Sequence, residues 1–295
     1  MRNCVFFWLS VFALLLFSGC GKKSASPTDT PSQVASSAQR NSLSDEHLRG
    51  PVMRVTEKKY MAFDMEGVLD SLCFYATNQM DYTRSGWLSF CALTNDAGDT
   101  ISVRKVTFDE KGNPIKNELF SAAGQCDNFS EYEVDARGFR VKETYHQGDS
   151  VVFTQNCRND ANGNVLEISV TQGSEQYTIH HTLNAAGLPV YVEWRSANAP
   201  AGEAYMSTRI EYDQRGNEIN RTTFLNNRPV ESNHTHFDDQ GRLCKEVYHS
   251  DMPTHTLDIV SNYSDFDAQG NWTKQTTFRN GRMYYVIERK IEYYQ

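Results

Sequence analysis

The sequence predicts an all-β fold: repeated antiparallel β-hairpins forming a twisted meander that curls into an open shell or barrel-like sheet. Three observations predict it. One short turn motif returns along most of the chain, a second set of turn residues falls midway between its copies, and the segments between turns alternate apolar and polar residues.

The motif is an aromatic or apolar residue, then Asp or Asn, two variable residues and Gly. Its clearest copies are Phe108 to Gly112, Tyr212 to Gly216, Phe237 to Gly241 and Phe266 to Gly270; weaker ones are Val134 to Gly138, Asn159 to Gly163 and Leu183 to Gly187, with Phe63 to Gly67 as an outlying first copy. The key residue recurs at Asp109, Asp135, Asp160, Asn184, Asp213, Asp238 and Asp267, at intervals of 24 to 29 residues. In such a turn the carboxylate accepts hydrogen bonds from backbone N–H groups while Gly takes the positive φ that ends it. Asp109, Gly112, Asp135, Gly138, Asp160, Gly163, Asp213, Gly216, Asp238, Gly241, Asp267 and Gly270 are therefore read as hairpin-tip residues rather than chemistry.

The second turns fall at Gln147-Gly148-Asp149, Gln172-Gly173-Ser174, Asn226-Asn227-Arg228-Pro229 and Arg279-Asn280-Gly281, so each repeat supplies two strands. Counting from each tip glycine separates two faces. The third residue after it is mostly apolar (Ile115, Val141, Leu166, Val190, Ile219); the fourth is mostly polar (Lys116, Lys142, Glu167, Asn220, Lys245, Lys274). A sheet with one apolar side cannot stay flat and open in water, so it curls or folds into two layers. Glu143, Arg221 and Glu246 fall on the inner face and predict an interior that is not fully dry.

The N-terminus reads differently. Met1-Arg2-Asn3 precedes an apolar run from Cys4 to Phe17, the pattern of an export signal and short for a membrane-spanning helix. The run ends Phe17-Ser18-Gly19-Cys20, which resembles the lipobox of bacterial lipoproteins. That resemblance implies a signal peptide over 1–19 and lipidation of Cys20, with acyl chains holding the protein at a membrane. Gly21 after the cysteine, by resemblance to the Gram-negative sorting rule, points to the outer membrane and leaves the leaflet open. Residues 20–50 are rich in Ser and Pro and read as a disordered tether; residues 51–295 read as the repeat domain.

The Tyr/Phe-Asp-x-x-Gly-Asn/Arg units resemble the YD repeats of the RHS family over roughly residues 100 to 295. The resemblance implies a β-meander wound into a shell, and carbohydrate binding has been suggested for the repeat. The spacing here is longer, and no toxin segment follows the last copy.

A net charge of −8 and the lack of a basic stripe argue against nucleic acid. No phosphate loop, dinucleotide fingerprint, H-E-x-x-H or G-x-S-x-G occurs, so no catalytic residue and no cofactor are predicted. His234 and His236 share a strand face, but it is the wet face, with Lys245 expected opposite His234; a metal is not predicted. Five cysteines follow Cys20, and Cys73 with Cys91 is the candidate disulfide in an oxidising compartment. Tyr191 and Trp272 fall on the wet face by parity and are the candidate glycan contacts. The sequence thus reads as a lipid-anchored envelope module that binds or scaffolds without catalysis, with envelope proteins or glycans as partners. A carbohydrate-binding protein, a lipid carrier in the curled sheet and an unrecognised hydrolase remain as alternatives.

Overall fold

A computed structural model describes residues 41–65, 68–197, 204–252 and 255–295. The residues around Cys20, and the signal and tether readings up to residue 40, lie outside them. One turn of helix, α1 (Ser42–Asp45), precedes β1 (Val52–Met65), β2 (Val68–Tyr82), β3 (Leu88–Asn95), β4 (Thr100–Phe108), β5 (Pro114–Ser121) and β6 (Cys126–Val134). There follow β7 (Arg140–Gln147), β8 (Ser150–Asn159), β9 (Val165–Gln172), β10 (Glu175–Leu183), β11 (Pro189–Ser196) and β12 (Met206–Tyr212). The chain ends with β13 (Glu218–Leu225), β14 (Arg228–Phe237), β15 (Leu243–Met252), β16 (His255–Phe266), β17 (Trp272–Arg279) and β18 (Arg282–Tyr293).

Every strand pairs antiparallel with its neighbours in sequence, and β18 pairs with β1 through Val55 opposite Ile291 and Glu57 opposite Arg289. The 18 strands therefore close into a meander barrel. Closure removes the two open edges that a curled sheet would otherwise present for aggregation.

One rim carries the D-x-x-G tips together with both ends of the barrel sequence. At each tip the glycine N–H donates to the carbonyl of the key residue, as Gly112 does to Asp109 at 2.9 Å, and the key N–H donates to the carbonyl four residues on. The carboxylate does the rest. Asp109 Oδ1 accepts from the N–H of Lys111 (2.9 Å) and Asn113 (2.8 Å), and Oδ2 accepts from Asn113 Nδ2 (2.8 Å). The same bonds recur at Asp160 and Asp213 with Asn164 and Asn217; at Asp238, Arg242 Nε replaces the amide at 2.6 Å.

The tips also stack on one another. A methyl added at Gly138 would lie 2.8 Å from Asn113 Oδ1, one at Gly163 would lie 2.3 Å from Phe139 Cε1, and one at Gly187 2.5 Å from Asn164 Nδ2. Asn113, Phe139 and Asn164, each the residue after one tip's glycine, thus rest on the glycine of the next tip, so the turn glycine serves both backbone conformation and close approach. A tip that sequence reading missed opens the series: Thr83 to Gly86 makes the same backbone bonds, with Thr83 Oγ1 accepting from the Trp87 N–H at 3.1 Å. Its hydroxyl in place of a carboxylate hid it. The expected copy at Phe63 to Gly67 includes residues 66 and 67, which lie outside the described residues; the flanking Met65 and Val68 pair at the rim opposite the other tips.

Where no tip precedes the first, the N-terminal segment completes the ring. Asn41 caps α1 and its side chain sits over Gly86 as Asn113 sits over Gly138, donating to the Ser85 carbonyl at 2.8 Å. Arg49 N–H donates to Asn271 Oδ1 (2.7 Å), the Arg49 guanidinium donates to the Gly241 carbonyl, and Leu48 is buried with Val52, Val55, Met80 and Tyr82. Residues 41–50, read from the sequence as part of the tether, thus pack on the rim of the barrel, which supplies the apolar partners that this polar segment lacks.

Candidate functional site

The register assigns each residue to lumen or wall. Immediately outside six of the tips it shifts by one residue, as between Thr107 and Phe108, so that Phe108 pairs with Pro114 and Thr107 with Lys116. The extra residue is a β-bulge, which flips the side chains beyond it. As a result the second residue after the tip glycine points inward (Pro114, Arg140, Leu243), the third occupies the bulge, and the fifth is again inward (Asn117, Glu143, Ile168, Val192, Arg221, Glu246). Periodicity alone had placed the third residue inward. The fourth faces outward, as expected.

The lumen has two halves. Between β8 and β12 it is apolar and filled by side chains: Phe153, Ile168, Val170, Ile179, Val192, Trp194 and Ile210 form one buried cluster. Burial without a partner pushes the pKa of His181, beside this cluster, down to about 4, helped by the nearby His180. The remaining strands add a second apolar cluster at Val52, Val55, Met80 and Tyr82 and many polar groups, several of them paired with one another. Glu143, 1% exposed, accepts from Ser130 Oγ (2.7 Å), Arg140 Nη1 (3.0 Å) and Gln155 Nε2 (2.5 Å). Arg221 forms two 2.7 Å bonds to Glu218. Tyr263 donates to Glu246, whose pKa is raised by burial and by the charge of Glu218 against the pull of that bond. Arg289 donates to Glu57 at 2.7 Å with its guanidinium 3.4 Å from the centre of the Trp272 ring.

The wall carries paired charges. Lys116 with Glu118, Lys142 with Glu133, Arg158 with Glu167, Arg195 with Glu193 and Arg228 with Asp251 all meet at 2.7–3.2 Å on outward-facing positions. A barrel that spans a bilayer presents an apolar band outward, and each Arg or Lys at its midplane costs about 2–4 kcal/mol. At these positions the wall is charged rather than apolar, while Phe63, Leu72, Tyr75, Ile101 and Val151 are its exposed large hydrophobics among the described residues. No helix among the described residues is long and apolar enough to cross a membrane.

Below the tip rim, between α1 and β3 to β7, lies a pocket of about 130 Å³. Trp87, Phe108 and Tyr132 give it aromatic surface, and Arg104, Arg140 and Asn117 give it polar groups. Arg140 leans over the Tyr132 ring at 4.5 Å and is paired with Glu143. Arg104 has no hydrogen-bond or ion-pair partner among the described residues and is exposed. The Oδ1 atom of Asn117 is buried without a partner. Burial holds the Tyr132 hydroxyl above the usual tyrosine range, with the charge of Glu143 adding to it. Sequence reading missed all of these. Arg140 sits at the second position after a tip glycine, so counting with the bulge included would have turned it inward; Asn117, at the fifth, is inward by either count.

The predicted sites fall as follows. The tip Asp and Gly residues hold turns. Tyr191 lies on the wall, half-buried, opposite Thr182 and Arg209. Trp272 does not: it is 6% exposed, packed against Tyr263 and under Arg289, because the paired strand twists at Asp265, whose φ is 54°. A buried indole cannot stack on a glycan. His234 and His236 are on the wall and exposed, but Lys245 faces His236 rather than His234, the bulge having moved the register. Among the described residues no three His, Cys, Asp or Glu side chains are grouped as a metal ion requires. Cys73 and Cys91 are free. They lie on adjacent strands, but Cys91 faces Met80, about 23 Å along β2 from Cys73 at ~3.3 Å per residue, where a disulfide needs Cα atoms within about 7 Å.

No family model matches the sequence, and no curated protein matches it. Among solved structures, a porin-like protein from Bacteroides uniformis ATCC 8492 aligns with 83% of this chain and 99% of its own, at 11% identity and a TM-score of 0.42. The TcdB2-TccC3-TEV structure aligns with 77% of this chain, which spans only 16% of that longer one, at 12% identity and a TM-score of 0.24. The LolA superfamily protein NE2245 from Nitrosomonas europaea aligns with 83% of this chain and 87% of its own, at 11% identity and a TM-score of 0.22. None of these three reaches a TM-score of 0.5.

Proposed function

We propose that the protein is an exported lipoprotein whose water-facing barrel serves the cell envelope as a non-catalytic binding module, held at the outer membrane by lipid on Cys20. One observation carries the reading: the charged pairs of the barrel wall. A barrel with such a wall cannot attach by spanning, so attachment falls to the leader, where the lipobox-like Phe17-Ser18-Gly19-Cys20 supplies it. The tip chemistry and the stacking of successive tips support assigning the repeat to the YD type. A binding role rather than catalysis is supported by how the carboxylates are used: the tip Asp groups hold turns, and Glu143, Glu218 and Glu57 hold buried partners. Lipid carriage is not favoured, because the apolar half of the lumen is filled by Phe153, Ile179 and their neighbours. Envelope proteins or glycans are the partners this reading implies.

The test is fractionation of the full-length protein and its Cys20→Ala variant, with labelled palmitate. Wild type should take up label and sediment with outer membrane, while the variant should be unlabelled and released in soluble form. A variant still embedded in the membrane would overturn the reading.

A further inference from the structure

We propose that the rim pocket binds a small carboxylate carried on a hydroxylated ring, a proposal that rests on the binding-module reading and gives it a ligand class. The charge comes first. Two arginines and no carboxylate line the pocket, in a chain whose net charge is −8. Arg140 is committed to Glu143 at 3.0 Å, so its charge is largely spent. Arg104 is not committed: it stands on the lumen side of β4, opposite Cys91 and Leu119, with no ion pair among the described residues. A guanidinium is a planar fork matched to a carboxylate by two parallel hydrogen bonds.

The second requirement comes from Asn117. Its Oδ1 is buried and unpaired, and such an acceptor is costly to leave unmade. A ligand that brings a hydroxyl hydrogen to it removes that cost. The third comes from the rings: Trp87, Phe108 and Tyr132 flank the space and offer faces to an apolar or C–H surface. The size closes the argument, since about 130 Å³ is close to the ~150 Å³ cavity that holds a six-membered ring such as benzene.

The chemistry can come from an acidic monosaccharide or from a hydroxylated aromatic acid, and the experiment separates them. Full-length lipoprotein in detergent is titrated calorimetrically with D-glucuronate, with 3-hydroxybenzoate and with neutral D-glucose, and again as the Arg104→Gln variant. Arg104 is exposed, so the variant should melt like wild type. At least one carboxylate should bind in the millimolar range or tighter, glucose at least tenfold more weakly, and the variant should lose about tenfold or more of the carboxylate affinity. Binding of glucuronate alone assigns a sugar acid, and of hydroxybenzoate alone an aromatic acid. No heat with either carboxylate at millimolar concentration, equal binding of glucose, or an unchanged Arg104→Gln affinity would each overturn the proposal. Membrane attachment is read separately by the Cys20→Ala fractionation, so the loss of one reading is distinguishable from the loss of the other.

Discussion

Replacing Gly163 by Ala tests the idea that the tips stack, and Gly148 supplies the control. Both glycines have positive φ, 85° at Gly163 and 56° at Gly148. An alanine in that region costs about 1–2 kcal/mol at either position. They differ in their surroundings. A methyl at Gly148 meets nothing within 4 Å, whereas one at Gly163 falls 2.3–2.6 Å from three carbons of the Phe139 ring. That ring must leave its seat, and partly re-exposing an aromatic side chain adds about 1–2 kcal/mol. Gly163→Ala should therefore cost about 2–4 kcal/mol against about 1–2 for Gly148→Ala. In a domain of this size each kcal/mol lowers Tm by about 2–4 °C. Urea or thermal unfolding of both variants measures the difference, and Phe139→Ala completes a double-mutant cycle with Gly163→Ala, with an expected coupling of about 1 kcal/mol. Equal losses for the two glycine variants, or a cycle additive within ~0.3 kcal/mol, would refute stacking and leave backbone conformation as the whole reason for the glycine.

Three further outcomes follow from the lumen and the thiols. Glu143→Ala removes the carboxylate on which Ser130, Gln155 and the 10%-exposed Arg140 side chain converge, and should cost about 3 kcal/mol in denaturant unfolding; a loss below ~1 kcal/mol would show that the lumen is wet enough to solvate Arg140. The pH profile of stability combines opposing groups: His181, with its pKa held at about 4, loses stability as pH falls below its ordinary value, whereas Glu246 works the other way. The folded-state pKa of Glu246 is raised, so its contribution is full below the ordinary carboxylate value and is lost as pH rises through the folded one. The pKa of Asp109 is held down, first by the Asn113 N–H, so its contribution is lost as pH falls through its folded value. Glu246→Gln should accordingly raise Tm at neutral pH relative to acid pH when compared with wild type, and an unchanged pH profile would count against that assignment. Finally, Cys73, Cys91, Cys126, Cys157 and Cys244 are all free, so these five should titrate as thiols when the protein is unfolded without reductant; three would reveal a bridge.

The sequence by itself determined the repeating unit. The D-x-x-G tip is a local device, complete within five residues, so Asp109 to Asn113 predicts its own hydrogen bonds with no knowledge of the rest of the chain. Strand alternation is equally local, and it made the sheet amphipathic and the wall polar, which is why Lys116, Lys142 and Lys245 were placed correctly. What lay beyond reach was anything set by one extra residue or by distant contact. The bulge after the tip shifts the inward position from third to second, and a periodicity of two cannot show where it slips, so Arg140 was missed; Trp272 was put outside because the positive φ of Asp265 on the paired strand is equally invisible to it. Closure itself depends on Glu57 meeting Arg289 across 232 residues, and the ordering of 41–51 on the missing core that the closed rim supplies. The pocket between α1, the first two tips and β5 to β7 exists only after those events. Tertiary structure decided it because closure, not local propensity, brings Ser42, Trp87, Arg104 and Arg140 to one place.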